Sequence, residues 1–96
     1  MAAYLIADLD VKNPAGLENY RAKVGDTLAK YGGKFIVRAG AHEVLETGQW
    51  QPKRIVVLEF PSMDALKRWY NSPDYRPLIA ERKAAAAGPV VAVEGL

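Results

Sequence analysis

The chain has no cysteine and a single histidine, His42, among 96 residues. Thiol nucleophiles, disulfides and cysteine-ligated metals are therefore excluded, and one imidazole cannot build a histidine-rich metal site, so no metal or cofactor is expected. Apolar runs are short. None reaches the ~18 residues of a membrane-spanning helix, so no membrane partner is expected. Charge of one sign never accumulates: 13 Lys and Arg against 11 Asp and Glu leave a formal charge of +2. That excess is spread along the chain, without the basic stripe that tracks phosphates, so nucleic acid is not an expected partner either. The first dozen residues start a strand rather than a basic segment followed by an apolar run, which makes the cytoplasm the expected compartment.

What is present is a mixture typical of one globular domain over residues 1–96, half hydrophobic and a quarter charged. A chain of this size buries roughly 60 to 65% of its unfolded surface, near the lower end of independent stability, and gains from oligomerisation. Ala3 to Val11 alternates at its end, setting Leu5, Ala7, Leu9 and Val11 opposite Tyr4, Ile6, Asp8 and Asp10, and predicts a first strand. Asn13-Pro14 caps and opens a helix whose apolar stripe is Leu17, Tyr20, Val24, Leu28 and Tyr31, and Gly32-Gly33 ends it.

Lys34 to Ala39 predicts a second strand, continued by Val44 to Glu46 after a bulge at Gly40, with a hairpin tip at Thr47 to Trp50. A third strand then runs from about Lys53 to Phe60. A two-residue turn at Gly48-Gln49 would set Glu43 opposite Arg54 and Arg38 opposite Glu59, two oppositely charged pairs, with Val37 opposite Phe60 and Ala39 opposite Leu58. It would place Ile36, Arg38, Val57 and Glu59 on one face. Ser62 caps a second helix carrying Leu66, Trp69 and Tyr70 inward, a third helical segment spans about Asp74 to Ala87 with a kink or restart at Pro77, and Val90 to Glu94 is the last strand.

The order strand, helix, strand, strand, helix, strand predicts an α+β, ferredoxin-like βαββαβ fold, a four-stranded antiparallel sheet with helices on one face. The other face, carrying Tyr4, Ile6, Ile36, Ile55 and Val57, would expose several hundred Å² of apolar surface, more than a monomer usually tolerates. A second copy of the chain is the simplest cover. Two sheets packed face to face would enclose a dimeric α/β barrel, with Asp8, Arg38 and Glu59 pointing inward.

The segments Tyr4-Leu5-Ile6-Ala7, Tyr31-Gly32-Gly33-Lys34, Val37-Arg38-Ala39-Gly40, Val44-Leu45-Glu46, Arg54 to Ser62 and Trp69 to Tyr75 together resemble the small bacterial dimeric alpha-beta barrel family known as domain-of-unknown-function family 1330. The resemblance spans nearly the whole chain. It implies the ferredoxin-like fold and a homodimer. The wider superfamily holds cofactor-independent antibiotic-biosynthesis monooxygenases, muconolactone isomerases and haem-dependent relatives, and its likeness implies an interior cavity beside the dimer seam. No catalytic motif of that superfamily transfers residue by residue.

The residues themselves offer candidates. Arg38 and Glu59 could orient an anionic or carbonyl-bearing ligand, or form a cross-strand pair that sets register. His42 could act as a general base at a pocket mouth, or be a surface loop residue. Asp8 could accept a hydrogen bond from ligand or be solvated, while Tyr4, Trp50 and Tyr70 could line an aromatic pocket together with Ile36 and Val57. Trp69 and Tyr20 read as core, and Tyr75-Arg76 as helix-start packing. The expected function is binding of a small organic molecule by a homodimer, with cofactor-independent oxygenation or isomerisation as its catalytic form and a non-catalytic ligand-binding or stress-associated module as the alternative. Haem is disfavoured because His42 is the only imidazole.

Overall fold

The computed structural model describes residues 1–96. Four strands, β1 (Ala3–Asp8), β3 (Lys34–Arg38), β4 (Ile55–Phe60) and β6 (Val90–Glu94), form an antiparallel sheet in the order β3-β4-β1-β6. With three helices on one side, α1 (Glu18–Ala29), α2 (Met63–Tyr70) and α3 (Arg76–Ala85), the arrangement is the ferredoxin-like one. The first strand is shorter than its sequence pattern. It breaks at Leu9, and Asp10–Val11 (β2) leave the main sheet to pair with Ala86–Ala87 (β5), clamping the end of α3 to the start of the chain.

Local chemistry accounts for the helix ends. The Asn13 side chain accepts a hydrogen bond from the Gly16 backbone N–H, opening a 3-10 turn over Pro14–Leu17 that leads into α1. The Ser62 hydroxyl accepts from the Ala65 N–H to cap α2, with Asp64 in the first turn. Of the kink or restart expected at Pro77 the structure has the restart: α3 begins at Arg76 and the ring lies in its first turn, where no helical N–H is needed. Gly32 has φ 74° and ends α1 as its sequence requires.

The predicted long hairpin does not form. Residues 39–54 make a surface loop without strand pairing, and Val44-Leu45-Glu46 are all exposed. The register is Lys34 opposite Glu59 and Phe35 opposite Leu58, then Val37 opposite Val57 and Arg38 opposite Val56. The bulge therefore falls at Ile36, not at Gly40. Arg38 does not face Glu59, nor does Val37 face Phe60.

The core lies between the sheet and the helices. Leu5, Leu28, Leu58, Phe60, Leu66 and Trp69 are among its buried members. The opposite face of the sheet is uncovered within one chain: Ile6, Val37, Val91 and Val93 are exposed, while Tyr4, Ile55 and Val57 are half-buried. No helix is long and apolar enough to cross a membrane.

Candidate functional site

A cavity of about 310 Å³ opens between the inner face of the sheet and the three helices. Its wall is 13 hydrophobic residues out of 17, which puts it at the small end of ligand pockets and with their usual apolar character. It lies on the helix side of the sheet, within a single chain, rather than between two sheets.

The polar part of the wall is four arginines, Arg21 of α1, Arg38 of β3, Arg54 just before β4 and Arg82 of α3, and a hydrogen-bonded group of side chains holds its inner end. Trp69 is fully buried, and its Nε1 donates to Thr27 Oγ1 at 2.9 Å, while Thr27 donates onward to the Val24 carbonyl at 2.7 Å. That chain of bonds fixes the indole, which stacks against the Tyr75 ring with centroids 3.9 Å apart. Tyr75 Oη lies 2.8 Å from Tyr20 Oη and accepts from Arg82 Nη1 at 2.9 Å. Burial pushes the Tyr75 hydroxyl far above its ordinary value, with the neighbouring Tyr20 adding to the shift, so it is a hydrogen-bonding alcohol at any physiological pH. Arg82 is only 6% exposed and has no carboxylate partner.

The bulge at Ile36 decides where Arg38 points. A strand's side chains alternate, so one extra residue carries every later side chain to the other face. Arg38 therefore joins the cavity wall, with its guanidinium 4.3 Å from the Phe35 ring centroid, instead of the uncovered face expected for it. Glu59 stays on that uncovered face, between Tyr4 on one side and Lys34 on the other, with Lys34 Nζ at 3.3 Å. The cation paired with Glu59 is Lys34, not the Arg38 expected for it.

The other expected site residues are dispersed. Asp8 and Trp50 do meet: Trp50 Nε1 donates to Asp8 Oδ2 at 2.8 Å, and the backbone N–H groups of Lys53 and Arg54 donate to Oδ1 at 2.8 and 3.1 Å. Burial works to raise the Asp8 value, but these three donors outweigh it and hold the carboxyl below the ordinary 3.8. Asp8 thus ties down the end of the 39–54 loop beside the cavity. His42 is exposed in that loop. Tyr4 and Val57 lie on the uncovered face, Ile36 is the exposed, unpaired bulge residue of β3, and Tyr70 packs edge-on against Trp69 outside the main cavity wall.

Tyr75 and Arg82 are site residues that sequence reasoning misses, although their spacing carries a signal. Tyr75, Leu78, Arg82 and Ala85 recur at intervals of three and four, so an arginine sits within an apolar stripe, and all four are buried.

A family model described as "Domain of unknown function (DUF1330)" matches residues 2–96. Among curated proteins there is no match. Solved structures share the fold. A protein of unknown function from Rhodopseudomonas palustris superimposes with a TM-score of 0.75 at 19% identity, over 99% of this chain and 82% of that one. SnoaB, a cofactor-independent oxygenase from Streptomyces nogalater, gives 0.64 at 16% identity, over 99% and 93%. Rv0793 from Mycobacterium tuberculosis gives 0.58 at 18% identity, over 100% and 96%.

Proposed function

Since this chain belongs to the DUF1330 family, whose name assigns no activity, we propose from the geometry that it is a homodimeric small-molecule-binding protein with one pocket per chain. The observation that carries this is the cavity of about 310 Å³ between sheet and helices, apolar over most of its wall and hydrogen-bonded at one end by Tyr75 and Arg82. The second copy covers the exposed sheet face. On this reading Tyr4, Ile36, Val57 and Glu59 serve the subunit contact, and Asp8 and Trp50 hold the loop.

Turnover of the kind named for SnoaB, oxygenation without a cofactor, fits this pocket under one condition. No histidine, aspartate or glutamate lines it, so the wall offers neither an imidazole nor a carboxylate as a general base. A substrate to be oxygenated or isomerised must ionise by itself, with Arg82 stabilising its negative charge. Binding without turnover is the second reading, favoured by the same lack of a base.

Native mass spectrometry of the purified protein, set beside Val56→Trp, which fills the cavity from β4, tests the binding. Bound organic mass is expected on the parent chain and its loss on a variant of unchanged melting temperature. An identical adduct on both would place the ligand elsewhere, and oxygen uptake with the identified ligand separates turnover from binding.

A further inference from the structure

Four arginines and no carboxylate line the cavity. Three of them, Arg21, Arg38 and Arg54, are exposed at its rim, and Arg82 is buried inside it. None takes part in an ion pair: the four pairs of the structure use Lys12, Lys30, Lys34 and Arg68 as cations. The carboxylate next to Arg82 in sequence, Glu81, is engaged on the outside by Asn19 Nδ2 at 2.8 and 2.9 Å.

A guanidinium has five N–H donors and stays protonated in proteins. Around Arg82 the structure places only neutral acceptors, the Tyr75 hydroxyl at 2.9 Å and the Tyr70 hydroxyl beside it. No buried side-chain nitrogen lacks a partner, so the remaining donors of Arg82 open onto accessible space. Those donors are left to water or to an anion that enters the cavity, and with no carboxylate of the chain beside it the guanidinium is free to take that anion.

Resting on the pocket reading above, we propose that the natural ligand is a small amphipathic anion, an apolar or aromatic body bearing one carboxylate or one 1,3-dicarbonyl enolate, with the two oxygens of that group on Arg82 and the body against Trp69 and Leu58. The planar fork of arginine matches the two oxygens of such a group. The rim arginines draw the anion toward the mouth. Size limits the body: at about 30 Å³ per water-sized volume the cavity admits on the order of ten non-hydrogen atoms.

Phenylacetate and its neutral isostere phenylacetamide meet that size and differ in charge, so titration calorimetry of the full chain with each decides between a charged and a neutral ligand. The parent protein is expected to bind the acid at least about tenfold more tightly than the amide. Arg82→Gln is expected to erase that preference while keeping the amide's affinity. Equal binding of acid and amide would overturn the anion assignment and leave the pocket standing. Binding of neither would overturn both. The comparison on the parent protein requires no variant, so its outcome stands even where Arg82→Gln fails to fold. Arg38→Gln at the exposed rim is a further check, expected to slow association of the acid alone.

Discussion

Asp8 shows how one side chain acquires a role that its neighbours in sequence do not reveal. Its three donors lie 42 to 46 residues further along the chain, and no pattern near position 8 anticipates them. The clamp has a pH signature. Because the folded carboxyl titrates below 3.8, its contribution is fully present above that value and disappears as pH falls through the lowered one. Trp50 emission is therefore expected to hold steady from about pH 8 to 5 and to change only under strongly acidic conditions. Asp8→Ala should show the acid form at neutrality, with faster proteolysis within 39–54 and a stability loss of about 2 kcal/mol from three charge-assisted hydrogen bonds. An unaltered loop in that variant would argue against the clamp. Arg82 makes the opposite point. Its place in an apolar stripe is visible in the spacing, but arginine late in a helix also complements the helix dipole, and that ordinary explanation hides the other.

Among the elements, the helices and the last strand are the legible part. Caps at Asn13 and Ser62, the glycine stop after α1 and the valine run of β6 all follow from local chemistry, which the sequence carries directly. The hairpin is where the reading fails. Val44 and Leu45 have the composition of a strand, but strand character is a matter of partners as much as propensity, and 39–54 finds none. With no tight turn to set the register, the β3-β4 alignment rests on core packing of Phe35 against Leu58, and a bulge absorbs the mismatch. The small β2-β5 pair depends on equally close fitting. Gly88 adopts φ 139°, and a Cβ there would overlap the Asp8 carbonyl oxygen. Gly88→Ala is expected to cost about 2 to 4 kcal/mol, read as a lowered urea midpoint with unchanged slope. A neutral result would mean that the β5-β6 connection is free to move away from β1.

For the whole molecule, the order of elements is enough to specify the architecture, since few topologies join two such units with helices on one side. The cavity is not legible in the same way. It arises from which side chains fail to fill the space between α1, α3 and the sheet, a remainder of three-dimensional packing. The uncovered sheet face has a direct test. Ile6 and Val91 are cross-strand neighbours there, 37% and 53% exposed, and replacing both by lysine is expected to convert a sedimenting dimer to a monomer. A parent chain that stays monomeric at high concentration would remove the dimer. The bulge at Ile36 has a wider implication. Since a single additional residue decides whether Arg38 contributes its charge to the interior chamber or to the uncovered sheet face, an insertion or deletion in β3 is expected to rewrite the charge of that chamber with no change of side-chain chemistry. Relatives that differ in the length of that strand should therefore diverge in what they bind more sharply than relatives that differ only in substitutions along it.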